Sequence, residues 1–201
     1  MFLPPDRVAA HADMLANRVR KRFRHLQRGF SRSETTAFRL YDWDIPEVRV
    51  VVDWYDGHVV LGEYARTQTA FPEYLETLAA ATAQAVEIPR RHVHTRVRRT
   101  QPEEGDRYES SAPGTPHEVR ENGLRFEVEL EGSVDVGLFL DHRNTRRRVR
   151  SESRDRRVLN LFAYTGAFSV VAAAGGATVT SVDTSAPYLR RLARNLALNG
   201  L

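Results

Sequence analysis

Residues 158–183, VLNLFAYTGAFSVVAAAGGATVTSVD, carry no charge until the closing Asp183, and no other stretch limits the fold as much. Val158 to Phe162 reads as a buried strand, and Tyr164-Thr165-Gly166 reads as a tight turn. Small and apolar residues from Ala167 to Ala174 follow as a helix that Gly175-Gly176 can stop, and Thr178 to Val182 is a β-branched second strand. The result is a strand-turn-helix-strand unit. In open α/β sheets a ligand sits at the carboxyl ends of the strands, where the turn backbone lets it approach and an acid can accept hydrogen bonds from a ribose diol. The stretch therefore predicts a nucleoside-cofactor site.

Two rival readings are weaker. An uncharged run of this length could span a bilayer, which takes about 20 apolar residues. Asn160, Tyr164, Thr165, Ser169, Thr178, Thr180 and Ser181 are scattered through it, however, and a double glycine divides it. A dinucleotide site wants G-x-G-x-x-G, with glycines that bring backbone amides onto a pyrophosphate. Here only Gly166 lies in the turn. A cofactor with a ribose and no phosphate fits better, and S-adenosylmethionine is the common one. Taken alone, the unit is equally what an ordinary parallel-sheet core looks like.

With 201 residues, 41% of them hydrophobic, the chain can bury one large core or two small ones. Lys21 is the only lysine against 29 arginines, and the formal charge is +4. So one-sided a ratio makes clustering, not count, the informative property. The absence of cysteine excludes disulfides, thiolate metal sites and cysteine nucleophiles. No metal site is predicted. Asp6, Arg7, His11 and Asp13 interrupt any apolar leader, so a cytoplasmic protein without a membrane segment is expected.

Pro4-Pro5-Asp6 opens a helix in which Val8, Ala12, Leu15, Val19, Phe23, Leu26 and Phe30 recur at threes and fours, one buried stripe. Its second half carries Arg18, Arg20, Lys21, Arg22, Arg24, His25 and Arg28. Most charge runs are solvated faces, but one sign repels itself unless an anion such as a phosphate backbone compensates. Arg18, Lys21, Arg22 and Arg24 are the candidate nucleic-acid contacts. Residues 38–46, FRLYDWDIP, read as a polar-aromatic connector. Val48 to Trp54 and His58 to Tyr64 flank Asp56-Gly57, and Glu118 to Glu121 and Leu124 to Leu130 flank Asn122-Gly123, two hairpin signals. Between them come a helix over Phe71 to Val86, a strand over His92 to Arg98 and an exposed loop over 101–116. Val136 to Leu140 reads as a short strand, Asp141 as the cap of a following helix, and Arg146 and Arg147 belong to a second basic cluster. A last helix runs from Ala186 to Leu198, capped by Thr184 or Ser185.

The strings VGLFLDHRNTRR (136–147), LNLFAYTGAFSV (159–170), VTSVDTSAPYL (179–189) and NLALNGL (195–201) together resemble the bacterial large-subunit rRNA methyltransferases that use S-adenosylmethionine. FRLYDWDIPEVRVVVDWYDGHVVLGEYA (38–65) and the basic N-terminal helix extend the resemblance over nearly the whole chain. Within that family the chain is most similar to the C-terminal, guanine-N7 half of the bifunctional 23S rRNA guanine methyltransferases. The cytosine-5 enzymes share the cofactor motifs, usually with Gln where this chain has His142.

The strand-strand-helix-strand-strand-strand order describes a small α+β accessory domain over 47–131, after a basic helix and connector (1–46), and with the resemblance it gives an α/β fold whose last part, 132–201, is the first part of a class I Rossmann-like domain. The resemblance implies that Asn160, Phe162, Tyr164 and Gly166 line the methionine and sulfonium end of S-adenosylmethionine. Asp183 would hold the ribose, and Asp141 and Arg143 would face the cofactor's amino and carboxylate groups. The implied partner is 23S rRNA or the pre-ribosomal large subunit. The family's Asn/Asp-Pro-Pro motif, which positions the target base, is not found up to Leu201. The chain is therefore expected to be C-terminally truncated, with its catalytic residues unknown, and a non-catalytic RNA-binding fragment is the alternative.

Overall fold

The computed structural model describes residues 2–64, 66–98, 114–131 and 135–201. The chain divides into two units, Met1–Arg32 with Thr36–Glu109, and Ser33–Thr35 with Ser110–Leu201.

In the first unit, α1 (Pro5–Arg32) and α2 (Pro72–Ala85) pack on a four-stranded sheet of β1 (Ala37–Asp42), β2 (Val50–Tyr55), β3 (His58–Tyr64) and β4 (Val93–Arg98). The strands lie in sequence order; the first three are antiparallel, and β4 runs parallel to β3 after the α2 crossover. The predicted stripe of α1 holds: Val8, Ala12, Leu15 and Val19 are buried, and Phe23, Leu26 and Phe30 lie against the same core. Asp56 and Gly57 both take positive φ, +45° and +89°, as the two-residue turn between β2 and β3 demands. The connector expected over 38–46 is corrected in part. Its first half is β1, paired with β2 through an irregularity between Arg39 and Tyr41, and it buries Phe38 and Leu40. The buried Tyr41 hydroxyl then holds the following bend by donating to the Val48 carbonyl at 2.8 Å and accepting the Ile45 amide at 3.0 Å.

The second unit contains the hairpin of β5 (Pro116–Glu121) and β6 (Leu124–Glu129), then α3 (Arg143–Glu152), β7 (Arg157–Leu161), α4 (Ala167–Ala174), β8 (Thr178–Val182) and α5 (Ala186–Leu198). Strands β7 and β8 are parallel, so the predicted strand-turn-helix-strand unit is present. Asn122 and Gly123 repeat the positive-φ turn, at +51° and +79°. The division of the chain departs from the boundary expected at 131/132, because the hairpin is bonded to α5. Asn199 Oδ1 accepts the Arg125 amide at 2.9 Å, and Asn195 Oδ1 accepts the Glu127 amide at 2.7 Å. The expected exposed loop falls on residues outside the described ones except for Gly114 and Thr115; Pro116 begins β5.

Two local expectations are corrected here. Residues 136–140 form no strand; Gly137 sits at φ +108°, and the chain passes into a 3-10 turn over Leu140–His142. That turn moves the start of α3 to Arg143, with His142 at the N-cap and no side-chain cap, so Asp141 does not cap the helix. Helices α3 and α4 approach closely at Gly175, where a Cβ would stand 2.3 Å from the Arg150 carbonyl oxygen. Glycine there is a packing requirement as well as a helix stop. The strands β7 and β8 are less buried than predicted, with Leu159, Leu161 and Val182 exposed on the sheet face opposite α4.

Candidate cofactor site

The site is built where β7 ends. Phe162 and Tyr164 both adopt left-handed backbone conformations, φ +56° and +52°, and Gly166 follows at +81°. Bulky residues pay for that conformation, and they hold it only where surrounding contacts over-determine it. Those contacts are present. The Ala163 amide donates to Val182 O at 3.0 Å, the Gly166 amide donates to Ala163 O at 2.9 Å, and the buried Thr165 hydroxyl donates to Gly137 O. Gly166 has a second reason to be glycine, because a Cβ would lie 2.3 Å from Leu192 Cγ of α5.

Asp183, one residue beyond β8, closes the arrangement. Its Oδ2 accepts the Tyr164 amide and its Oδ1 accepts the Ser185 amide, each at 2.8 Å. Each carboxylate oxygen keeps further acceptor capacity, so these bonds orient the group without exhausting it. They also give Asp183 a structural task that the sequence did not reveal. Around the turn, the Tyr164 ring meets Tyr188 edge-on at 4.4 Å and Phe139 at 5.5 Å. Burial is the largest cause raising the Tyr188 phenol above its ordinary value, so the ring stays neutral. Phe162 is 89% exposed.

The remaining candidates fall elsewhere. Asn160 points under α4, donating to Ser169 Oγ at 2.9 Å, with Ser169 Oγ 2.8 Å from Ser181 Oγ. Asp141 is exposed beside His142, 3.7 Å from its Nε2. Arg143 is largely buried, with Nε 3.4 Å from Glu121 Oε2, and burial pulls its pKa below the ordinary guanidinium value. The structure therefore groups Phe162, Tyr164, Gly166 and Asp183, and directs Asn160 and Arg143 to protein partners.

Among the RNA candidates, Arg146 is corrected. Its side chain is 1% exposed and gives two bonds to the buried Glu121 carboxylate, at 2.7 and 2.8 Å, and a third to Phe139 O at 2.7 Å. Helical periodicity explains this, since Arg146 falls on the inner face of α3 while Arg147 faces solvent. Arg18, Lys21, Arg22 and Arg24 are exposed on α1, and Arg18 donates to Asp44 Oδ2 at 2.6 Å. The sequence reading did not single out Thr165, Asn195 or Glu121. For Asn195 the available signal was a polar residue beside Leu192 and Leu196 on α5; Thr165 in its turn and Glu121 in the polar strand β5 carried none. No group of three or more metal-capable side chains forms among the described residues, and none of their helices is long and apolar enough to cross a membrane.

A parallel strand-helix-strand whose first turn is left-handed, and whose second strand ends in a carboxylate bonded to that turn, defines a Rossmann-like α/β cofactor domain. Residues 41–201 match the family model of S-adenosylmethionine-dependent methyltransferases. The chain belongs to that family, whose methyl donor is S-adenosylmethionine. It is 42% identical over 200 residues to a ribosomal RNA large subunit methyltransferase K/L of Methylococcus capsulatus, which covers 96% of this chain and 27% of that protein. It is 40% identical over 207 residues to the protein of the same description in Allochromatium vinosum, covering 99% of this chain and 28% of that one. The chain thus spans little more than a quarter of the relatives' length. A candidate S-adenosylmethionine-dependent methyltransferase of Streptococcus mutans superposes with a TM-score of 0.72 at 25% identity, covering 94% of this chain and 50% of that one. A solved candidate methyltransferase complexed with SAH superposes at 0.70 and 24% identity, over 94% of this chain and 49% of that one, which bears on the fold alone.

Proposed function

We propose that the chain is the cofactor-binding and RNA-binding part of a methyltransferase that modifies a base of large-subunit rRNA, with guanine N7 as the accepting atom. The observation that carries this reading is the pairing of the Phe162–Gly166 turn with Asp183. The bound cofactor would supply an electrophilic methyl group on a sulfonium. Asp183 would take the ribose hydroxyls, and the backbone and aromatic side chains of the turn would meet the methionine end. The residues present fit such a group: an exposed aromatic at Phe162, and at Asp183 an oriented carboxylate with acceptor capacity left. Guanine N7 carries its lone pair in the ring plane, so no general base is needed, and catalysis rests on presenting an extruded base in line with the methyl group. The relatives' description as large-subunit rRNA methyltransferases supports the substrate class. Isothermal titration of S-adenosylmethionine into the unsubstituted chain and Asp183→Ala tests it; equal affinity in both would remove the ribose role.

A second reading is favoured by α1. Lys21, Arg22, Arg24, Arg28 and Arg32 are exposed on one helix. Such a surface attracts a phosphate backbone whether or not methyl transfer occurs. RNA binding without cofactor binding would leave this reading standing alone.

A further inference from the structure

Helix α5 holds the cofactor turn through side chains that the reading above does not use. Leu192 fills the space left by the missing Cβ of Gly166. Arg191 spans from Glu129 Oε2 at 3.2 Å to the Val136 carbonyl at 3.3 Å, beside the segment that receives the Thr165 hydroxyl. Asn195 makes the central connection. Its Nδ2 donates to the Thr165 carbonyl at 2.8 Å while its Oδ1 accepts the Glu127 amide of β6 at 2.7 Å, and the residue is 1% exposed.

These two bonds require a donor at one end of the side chain and an acceptor at the other. An aspartate cannot donate to the carbonyl, a leucine satisfies neither end, and a glutamine is one methylene too long for the same span. Leaving the buried Thr165 carbonyl and the part-buried Glu127 amide unsatisfied is costly, so the side chain dictates where the Thr165 peptide sits. Tyr164, whose amide is bonded to Asp183, is the neighbouring residue.

We propose that Asn195 is a positioning residue of the cofactor site: it fixes the left-handed turn from Phe162 to Gly166 against β6, so that the methionine end of the cofactor meets a preformed backbone. This rests on the cofactor reading given above. Asp183 has its own second anchor in the Ser185 amide, so the ribose contact is less dependent on Asn195. The methionine end and the nucleoside should therefore respond differently to its loss.

The test compares SAH and adenosine, titrated calorimetrically into the unsubstituted chain, Asn195→Asp, Asn195→Gln and Asn199→Ala. Asn199 also bonds the β6 backbone, through Arg125, and the Asn195 carbonyl at 2.8 Å, but does not touch the turn, so it reports loosening of the hairpin and of the end of α5. The expected result is a loss of SAH affinity of about tenfold or more in Asn195→Asp, with adenosine affinity within about threefold. Asn195→Gln should shift the same ratio by less, and hydrogen exchange in the ligand-free protein should rise at residues 163–166 in both Asn195 variants. Asn199→Ala should show none of this. Equal losses for the two ligands, or an Asn195 profile that matches Asn199→Ala, overturns the role. Failure of the unsubstituted chain to bind SAH overturns the cofactor reading instead, and the role with it.

Discussion

The carboxylate of Asp183 accepts the backbone amide of Tyr164 at 2.8 Å, which ties the end of the second parallel strand to the turn that follows the first. One side chain thus fixes the turn after the first strand and, through the Ser185 amide, the start of the segment after the second.

Substitution of Asp183 should therefore cost both binding and local order. Asp183→Asn replaces one acceptor by an amino group that faces a backbone N–H, and Asp183→Ala removes both acceptors. A charge-assisted hydrogen bond is worth about 1.5–3 kcal/mol, so S-adenosylmethionine affinity should fall roughly ten- to hundredfold in either variant. Calorimetry measures the affinity, and amide exchange at Tyr164 and Ser185 reports the lost bonds.

Gly166→Ala meets two penalties, a φ of +81° and a Cβ 2.3 Å from Leu192 Cγ. Together these should destabilise the protein by about 2–4 kcal/mol, read by urea unfolding. Adding Leu192→Ala relieves only the clash, so a double-mutant cycle should show a coupling of about 1 kcal/mol or more. A coupling of zero would place Leu192 away from the turn.

Arg146 should behave as a core residue. Arg146→Ala leaves the Glu121 carboxylate buried without its bidentate partner and should cost about 3–5 kcal/mol, whereas Arg146→Met with Glu121→Leu should cost less, its remaining penalty falling on Arg143, whose Nε lies 3.4 Å from Glu121. The paired variant should leave RNA affinity unchanged.

On the surface the expectation reverses. Arg22→Gln with Arg24→Gln should leave stability within about 0.5 kcal/mol and reduce the slope of log K against log salt for RNA by about 1 to 2 units. An unchanged slope, measured by filter binding at several salt concentrations, would make α1 an ordinary solvated face.

His11 predicts a pH dependence. Burial is the largest cause lowering its pKa below 6.5, Arg66 and Arg7 act in the same direction, and Glu47 opposes them. Its Nδ1 lies 3.1 Å from the Tyr74 hydroxyl, whose pKa burial pushes up to about 12, so the imidazole faces a neutral phenol and gains no anionic partner there. The unfolded state then binds the proton more readily than the native one, so stability is lost as pH falls below 6.5. Glu63 has the opposite sign: its pKa is raised from 4.5, chiefly by burial, and its contribution is lost as pH rises through that folded value. The difference in melting temperature between the unsubstituted chain and His11→Gln, followed from pH 7.5 to 5.5, isolates the imidazole and should narrow with acid.

Periodicity alone located α1 and its buried stripe, and paired turn residues located both hairpins, because each depends on spacing within a few neighbouring residues. The order of strand, turn, helix and strand from Val158 to Asp183 was legible for the same reason, as was the candidate role of Asp183 at its end. The tertiary structure decided what spacing cannot encode. It made 38–42 a strand by pairing it with β2, and kept 136–140 out of a sheet through the conformation of Gly137 and the contacts of Val136. It also assigned the β5–β6 hairpin to the second unit through Asn195 and Asn199. Arg146 and Arg147 are adjacent and chemically identical, yet only packing around Glu121 separates a buried ion pair from a solvated base. That distinction depends on which groups meet across the fold, so a linear pattern of charge could not carry it.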